Sequence, residues 1–349
     1  MSNHIDVVKK AIEFKKPDYL PMEILDVPGI YNAYYTMDPN TVELILGTEN
    51  FDSISVFGAA WFPKEVGKNK KNEVVRIDEY GIESVVPKEE TSAYIITNSP
   101  LNGKNSISGY KFPDPNWGNF FFEDLTKVVK EKYSDRFLNC YIDPAAFLIA
   151  SFLMGTEYLY LKLGDNIKFV VEVIEMLFEY QKKLLPKYKA AGAHMVTYLD
   201  EFASNMVMMF SPDIWRKHFK HFYVDMFKSI HTAGLYTGLG LDGNFDAIIE
   251  DILTMEIDVL ECYDTRSFGI DRLEKKVKGK TCIKCGVDMS ITLDVGTTDE
   301  VMQDAIEKVE RLNSPEGGYI SEVLKWHRPE YPEKNYLAAV KAFNKYRKI

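Results

Sequence analysis

Short apolar runs alternate with helix-like segments over most of the 349 residues, and this alternation limits the chain to a small set of folds. Short apolar runs separated by amphipathic helices are typical of parallel strands buried on both faces. Eight such units favour a closed (β/α)8 barrel of the TIM type over an open sheet, as one domain spanning 1–349. The runs lie at 18–25, 51–60, 137–143, 193–202, 235–241, 257–264, 281–288 and 318–324.

Two segments outside this rhythm complete the expected architecture. A short amphipathic helix precedes the first run and forms an N-terminal extension. Residues 71–96 instead alternate apolar and polar side chains around Tyr80-Gly81, which predicts a β-hairpin insertion in the barrel. Later in the chain, Ser211-Pro212-Asp213 has the residue types of a helix start and predicts a long helix over 211–233.

The charge and composition of the chain argue against some classes of function. The chain has 42 Lys and Arg against 52 Asp and Glu, a formal charge of −10, which argues against nucleic-acid binding. No window approaches about 20 uninterrupted apolar residues, so no membrane span is expected. The N-terminal segment lacks the pattern of a secretion signal, so we expect a cytoplasmic protein with reduced thiols. Cys282 and Cys285 would face opposite sides of a strand and so could not share an ion; buried thiols are expected.

One glycine motif suggests a different fold. Gly238, Gly240 and Gly243 have the spacing of a dinucleotide fingerprint, and Glu261 lies 18 residues further on. The motif sits deep in a series of βα units, however, and not at the start of a nucleotide-binding half. A tight strand-to-helix turn also requires glycine in any α/β protein, so dinucleotide binding is the weaker interpretation.

Six segments in order resemble the uroporphyrinogen decarboxylase-like superfamily, in particular its corrinoid-dependent methyltransferase branch. They include the opening helix and first strand, the hairpin, and strands four to eight with their turns. The resemblance implies a barrel enzyme whose active site lies at the carboxyl ends of the strands. The segments are VVKKAIEFKKPDYLPMEI (7–24), RIDEYGIESVVP (76–87), AAGAHMVTYLDEFASNMVMMFSPDIWRKHF (190–219), GLGLDGNFDAIIEDILTMEIDVLE (238–261), IKCGVDMSITLDVGTTDEVMQDAIEKV (283–309) and GGYISEVLKWHRPEYPEKNYLAAVKAF (317–343).

The sequence departs from the superfamily pattern at two places. The decarboxylases bind a polycarboxylate through an arginine-bearing N-terminal segment, whereas the first arginine here is Arg76, so uroporphyrinogen is not the expected substrate. The methyltransferases typically bind zinc through His-x-Cys after strand five and a cysteine near strand eight. Here the first site reads Gly240-Leu241-Asp242, and GYISEVLKWH contains no cysteine, so methyl transfer to a thiol is not expected.

Acidic residues at the strand ends offer a different zinc site. Glu201, Asp242 and Glu261 follow or end strands four, five and six, and His327 lies beyond strand eight. Oxygen and nitrogen ligands can hold zinc as a Lewis acid, which would polarise an ether oxygen. We therefore expect these four residues to bind zinc and the three acids to act in catalysis.

Each of these residues also has a structural interpretation. Asp242 could cap the following helix, and Glu261 could form an ion pair with Arg266. Asp200 and Glu201 are neighbours on a strand, so only one of them can face the barrel interior, and Glu201 is favoured. His327 could be an ordinary surface histidine.

Residues near other strand ends are candidates for substrate binding. Glu23 and Asp288 lie near the ends of strands one and seven, at the face where barrel enzymes bind their substrates. Tyr34 and Trp61 follow the first two strands and could line a pocket for an aromatic substrate. Ordinary packing explains these two aromatic side chains equally well.

The resemblance implies a methyltransferase that moves a methyl group from a small donor to the cobalt of a corrinoid protein. A methoxylated aromatic is the favoured donor, so the reaction would be O-demethylation with zinc at the ether oxygen. The corrinoid would arrive on a partner protein, and a homodimer remains open. Three alternatives stay in view: methyl transfer to a tetrahydropterin, a metal-free decarboxylase or lyase of a small acid, and a non-catalytic binder of a tetrapyrrole or a partner protein.

Overall fold

A ring of eight parallel strands forms the centre of the computed structural model, which describes residues 3–25, 51–56, 61–86, 95–323 and 332–347. The strand order around the ring is β1-β12-β11-β10-β9-β8-β7-β2, and β1 pairs with both β12 and β2, which closes the barrel. The predicted (β/α)8 barrel is therefore confirmed. The strands are β1 Met22–Leu25, β2 Ser53–Val56, β3 Lys64–Lys68, β4 Val74–Ile77, β5 Glu83–Val86, β6 Ile95–Asn98, β7 Phe137–Ile142, β8 Met195–Asp200, β9 Tyr236–Leu241, β10 Val259–Cys262, β11 Cys282–Gly286 and β12 Tyr319–Val323.

Helices between the strands cover the outside of the ring. Ser211 caps the predicted helix over 211–233 by accepting a hydrogen bond from the Asp213 N–H, but the helix is interrupted at Phe219. In chain order the described α-helices are α1 His4–Ile12, α2 Asn119–Lys132, α3 Ala146–Met154, α4 Thr156–Asp165, α5 Ile167–Lys182, α6 Leu185–Ala190, α7 Pro212–His218, α8 Lys220–Thr232, α9 Ile249–Leu253, α10 Thr265–Phe268, α11 Ile270–Arg272, α12 Thr292–Val295, α13 Thr298–Leu312 and α14 Glu333–Asn344, with a 3-10 turn at Asp246–Ile248 and a π-helical turn at Leu273–Val277.

Within the described ranges, no single helix has the length and apolar character needed to span a membrane. The bent pair α3 and α4 reaches that threshold together, on length and composition only.

The barrel interior is apolar at its base and polar above it. Phe137, Met195, Val259, Cys282 and Ile320 form the base layer, and α1 covers it from below. Interior positions repeat every second residue along a strand, so the next layer lies two residues further on. That second layer consists of Asn139, Thr197, Glu261, Lys284 and Glu322, all buried.

The insertion between β2 and β7 is a four-stranded antiparallel sheet in the order β3-β4-β5-β6. The predicted hairpin is its central pair, and Asp78 closes the turn by accepting the N–H groups of Tyr80 and Ile82 at 2.9 Å each. The sheet extends beyond the predicted range because it begins at Lys64. Strand β3 has the sequence KEVGK and is fully exposed, so no apolar alternation marks it.

The two glycines of β9 serve the packing of the barrel. A Cβ atom at Gly238 would come within 2.4 Å of the Thr197 hydroxyl, and one at Gly240 within 2.9 Å of the Tyr263 ring. Gly243 has a φ of +72° and lies against the backbone of Ser204. Barrel packing and one tight turn therefore account for the spacing that resembled a dinucleotide motif.

The two neighbouring thiols of β11 face opposite sides, as predicted. Cys282 is in the base layer inside the barrel, whereas Cys285 packs in the core between strands and helices. Both are buried thiols. Burial raises the pKa of the Cys282 thiol well above its usual range, so it is an unreactive core residue.

Candidate active site

A buried lysine is the centre of the polar layer in the barrel. The Lys284 ammonium donates hydrogen bonds to Glu23 and to the Tyr141 hydroxyl, and it lies 2.9 Å from Glu261 Oε2. Glu322 Oε1 is a further 3.6 Å contact. Burial alone would lower the pKa of Lys284, but the charges of Glu23 and Glu261 outweigh it and raise that pKa above its usual range. The lysine is therefore a permanent cation inside the barrel.

Hydrogen bonds extend this cluster around the ring. The Ser53 hydroxyl donates to Glu23 Oε2 at 2.6 Å, and the Asn139 amide donates to Glu23 Oε1 at 3.3 Å. Tyr141 donates to Glu261 Oε2 at 2.7 Å. The result is a fixed polar floor in which Glu23, Glu261 and Tyr141 are held by several strands at once.

Three carboxyl groups lie above this floor, at the mouth of the barrel. Asp143 directly follows β7, Glu201 follows β8, and Asp242 follows β9. The carboxyl ends of neighbouring parallel strands meet at one edge, so consecutive strands bring these groups to one side of the mouth. Glu201 and Asp242 are accessible to solvent, whereas only 3% of Asp143 is exposed.

Two of the carboxyl groups at the mouth, Glu201 and Asp143, have raised pKa values. Partial desolvation at the mouth raises the pKa of Glu201 to about 7, and the charges of Asp242 and Asp200 add to the effect. Burial raises the pKa of Asp143 well above its usual range, with further contributions from Glu201, Asp200 and Glu261. Near neutral pH the mouth therefore contains carboxylic acid groups that can donate a proton.

Side chains alternate in direction along β8, so the neighbouring acids Asp200 and Glu201 face opposite sides of the strand. Asp200 faces the helix layer and accepts the N–H groups of Phe147 and Leu148 at 3.1 and 3.0 Å, together with the Tyr223 hydroxyl at 2.7 Å. It therefore anchors the beginning of α3. Glu201, the next residue, lies at the mouth, which is the placement that we expected.

Asp288 and Arg266 form a separate pair on the far side of the mouth. Asp288 accepts the N–H groups of Ile291 and Thr292 at 3.0 Å each, and the Arg266 guanidinium lies 3.5 Å away. The ion pair considered for Glu261 is therefore wrong, because Arg266 pairs with Asp288 and Glu261 with Lys284. Asp288 fixes the turn after β11, and its proposed contact with substrate stays a prediction.

The predicted aromatic wall is described only in part. Trp61 is buried, donates its Nε1–H to Asp78 Oδ2 at 2.5 Å, and packs with its ring centroid 6.2 Å from that of Phe152. Core packing thus accounts for its position beside the insertion. Tyr34 lies outside the described residues, as does His327, the predicted nitrogen ligand of zinc.

The described members of the predicted zinc set do not fit a metal ion. Across the described ranges, no three His, Cys, Asp or Glu side chains are grouped so that they could hold one. Glu261 is bound to the Lys284 ammonium in the floor, while Glu201 and Asp242 lie higher, at the rim. An ammonium thus occupies the position that a cation held by Glu261 would need, and we derive no step through zinc.

Several central residues were missed in the sequence. Lys284 interrupts the apolar run TCIKCG, and a charge in a strand buried on both faces requires a partner inside the protein. That argument predicts a buried ion pair, although it cannot name the partner. Asp143 ends the strand FLNCYID directly before Pro144, so its place at a strand end was a usable signal. Glu322 carried the same signal as Lys284, since it interrupts the apolar strand YISEV, whereas Tyr141 reads as an ordinary strand residue.

Comparison with known proteins supports the fold. No protein-family model and no curated protein matches the sequence. Among solved structures, a methyltransferase from Methanosarcina mazei superposes with a TM-score of 0.73 at 16% identity, covering 99% of both chains. An endo-β-1,4-xylanase from Gloeophyllum trabeum gives a TM-score of 0.48 at 8% identity, covering 93% of this chain and 96% of its own. At such identities the likeness to the methyltransferase is one of fold, a (β/α)8 barrel matched over nearly its full length.

Proposed function

We propose that this protein is a methyltransferase that takes a methyl group from a methoxylated aromatic and passes it to the cobalt of a corrinoid protein. The observation that carries the proposal is the position of Glu201, a carboxyl group that directly follows β8 at the mouth of the barrel and whose pKa is raised by desolvation and by the charge of Asp242. The full-length fold likeness to the Methanosarcina mazei methyltransferase supports the reaction class. The sequence resemblance supports the donor and the acceptor.

Breaking an aryl methyl ether requires a good leaving group at oxygen. As a nucleophile bonds to the methyl carbon, the carbon–oxygen bond breaks and its electron pair goes to the oxygen. The protonated carboxyl of Glu201 donates its proton to that oxygen, which yields a neutral phenol and the Glu201 carboxylate. The corrinoid, when bound, supplies the nucleophile. A carboxylic acid with a pKa near 7 suits this task because it is still partly protonated at neutral pH.

Asp242 and Glu261 contribute to the proposed reaction indirectly: Asp242 acts on Glu201, and Glu261 holds the polar floor. The charge of Asp242 helps to keep the Glu201 proton in place, so Asp242 tunes the acid. Glu261 is a positioning residue, because it holds Tyr141 and Lys284 beneath the mouth. The protein therefore supplies a fixed floor, a proton at the rim and an opening that admits a partner protein.

The test is methyl transfer with purified protein, cob(I)alamin and a panel of methoxylated phenols. We expect methylcobalamin and the demethylated phenol to form in equal amounts. Glu201→Gln should lower kcat by about 100-fold, the usual size of a general-acid contribution. If the wild-type protein produced no methylcobalamin with any donor, the proposal would be abandoned. Methyl transfer to a tetrahydropterin and cleavage of a small acid would then be tested next.

A further inference from the structure

A cleft lies between the insertion and the loop that follows it. The turn between β4 and β5, residues 77–81, forms one wall, and residues within 98–117, from the end of β6 almost to α2, form the other. This insertion cleft encloses about 590 Å³, a volume within the range of small-molecule sites. None of the described residues that line it lies on a barrel strand, so the cleft is separate from the barrel mouth.

Hydrogen bonds within the protein hold both walls in place. The Tyr110 hydroxyl donates to the Tyr80 carbonyl at 2.7 Å and thereby ties the loop to the turn. On the other side of the loop, the Tyr158 hydroxyl of α4 donates to the Lys104 carbonyl at 2.7 Å. A ligand therefore meets a preformed surface, which lowers the entropy cost of binding.

Aromatic rings give the insertion cleft an apolar surface. Tyr110, Phe112 and Trp117 line it. The Phe112 side chain is 55% exposed, and its ring centroid lies 6.3 Å from that of Tyr110. Phenylalanine is among the residues most often buried, so an exposed ring in a cleft offers a face on which a planar ligand can stack.

Two lysines line the same cleft. Lys104 and Lys111 are both exposed, and neither has an ion-pair partner among the described residues. Ser106 and Ser108, which lie between them in the chain, also line the cleft. Each lysine offers three N–H donors and each serine one O–H donor, so this set suits an anionic group with several acceptor oxygens.

The carboxyl groups of the insertion cleft are mostly withdrawn from it. Asp78 and Glu79 are buried in its wall, where Asp78 binds the turn and Glu79 accepts the Phe62 N–H at 2.8 Å. Burial raises the pKa of Glu79 well above its usual range, so its side chain is uncharged at neutral pH. Asp114 is exposed and accepts the Asn116 N–H at 2.9 Å. Among the described lining residues, the exposed charges are therefore two lysines and one aspartate.

We infer that the insertion cleft is a second ligand site, which binds a planar aromatic compound with an anionic group, a carboxylate or a phosphate. In this arrangement the ring stacks on Phe112, and the anionic oxygens accept hydrogen bonds from Lys104 and Lys111. The reaction proposed for the barrel mouth does not use this site. The inference therefore holds whether or not the protein transfers methyl groups.

Three probes with one ring and different charge test this inference: 2-naphthoate, 2-naphthyl phosphate and naphthalene-2-methanol. Their binding is measured by calorimetry on the full chain, without corrinoid, so the result does not depend on turnover. We expect at least one anion to bind about tenfold more tightly than the alcohol, and more weakly as salt is added. The tighter of the two anions then identifies the anionic group that the site prefers. Equal or tighter binding of the alcohol, or no binding of any of the three, would overturn the inference.

Variants of the cleft show where the anion binds, because the barrel mouth could also admit these probes. Phe112→Ala removes the stacking surface and should weaken binding of the preferred anion by about fivefold. The double variant Lys104→Met, Lys111→Met should weaken it by about tenfold and leave binding of the alcohol unchanged. All three side chains are exposed, so the variants should fold as the wild type does.

Lys70→Met is the matched control, since it removes one exposed lysine from the turn between β3 and β4, at the opposite end of the insertion sheet. Its affinity for the preferred anion should equal that of the wild type. Anion binding that is weakened in the cleft variants but not in this control would uphold the second site. Unchanged anion affinity in both Phe112→Ala and the double lysine variant would place the probe elsewhere and sink the inference.

Discussion

Lys284 is a buried charge whose environment should affect the stability of the barrel. A buried ammonium needs negative partners, and Glu23 and Glu261 provide them through direct contacts. The same two carboxylates depend equally on the lysine, since each is fully buried. Their balance allows a TIM barrel to have a charged floor where most have a packed apolar one.

Lys284→Met should therefore destabilise the protein by about 3–5 kcal/mol, because it removes the cation that the buried carboxyl groups of Glu23, Glu261 and Glu322 share. Urea unfolding measures this change. The double variant with Glu23→Gln should recover part of the loss, since it removes one of the uncompensated charges. A Lys284→Met protein as stable as wild type would show that the floor network is not a source of stability.

Glu201 is the residue that should set the pH dependence of catalysis. The reaction needs its protonated form, and its pKa is about 7, so kcat should fall as pH rises past about 7. Asp143 and Asp242 lie near it at the ends of the two neighbouring strands, Asp200 precedes it on its own strand, and Tyr160 interacts with it from α4. Glu201→Gln should remove this alkaline limb from the pH–rate profile. A limb that persists in the variant would assign it to another group.

The pH dependence of folding stability should also reveal the titration of Glu201, and this measurement needs no substrate. Folding raises the pKa of Glu201 from 4.5 to about 7, so the folded protein binds this proton more tightly than the unfolded chain. Its contribution to stability is complete below pH 4.5 and is lost as pH rises to about 7. Glu201→Gln should therefore raise the Tm at pH 8 relative to wild type, by an amount reduced by solvent screening of this exposed side chain, and leave it unchanged at pH 4. The reverse order would mean that Glu201 is stabilised as a carboxylate.

At the scale of elements, the sequence predicted the strands that are marked by an apolar run and missed the strand that is not. All eight barrel strands lie within the predicted runs, because a strand buried on both faces requires a continuous apolar stretch. Strand β3 is exposed on both faces and has no such signal. The partner of a buried charge was equally invisible, since Lys284 and Glu23 are 261 residues apart in the chain. Only the barrel closure brings them together.

Strand β9 offers a direct test at this scale. Gly240→Ala places a methyl group within 2.9 Å of Tyr263 and Leu199, so it should destabilise the fold by about 1–3 kcal/mol. Gly164→Ala is the matched control, because its added methyl group in α4 meets nothing within 4 Å. We expect the control to be neutral or slightly stabilising in urea unfolding. Equal effects of the two changes would contradict the packing role assigned to Gly240.

At the scale of the whole molecule, the barrel was predictable from the sequence, whereas the chemistry of its centre was not. Position at a strand end correctly placed Glu201 and Asp242 at the mouth. It could not show that Glu261 points down to a lysine instead of up toward a metal ion. Side-chain direction in a barrel depends on register between strands, which a single sequence does not state.

The pairing of Glu261 with Lys284, in place of a metal ion, predicts how the protein responds to chelators. Because the floor already contains an ammonium and the proton comes from Glu201, methyl transfer should continue after dialysis against EDTA. Metal analysis of wild type and of Asp242→Ala provides the independent check. One equivalent of zinc in wild type, lost together with activity in the variant, would reinstate zinc and place its remaining ligands outside the described residues.

Helix α1 and the apolar base layer seal the barrel from below. Asp52 strengthens that seal, since it binds His4 of the helix at 2.8 Å and also Arg347 near the other end of the described chain. Because the barrel is closed at its base, ligands enter and leave through its mouth. In the proposed reaction, the small donor would therefore have to enter before the bulky corrinoid protein. The phenol product would leave only after that protein had withdrawn, so we expect the lifetime of the complex between the two proteins to set an upper limit on turnover.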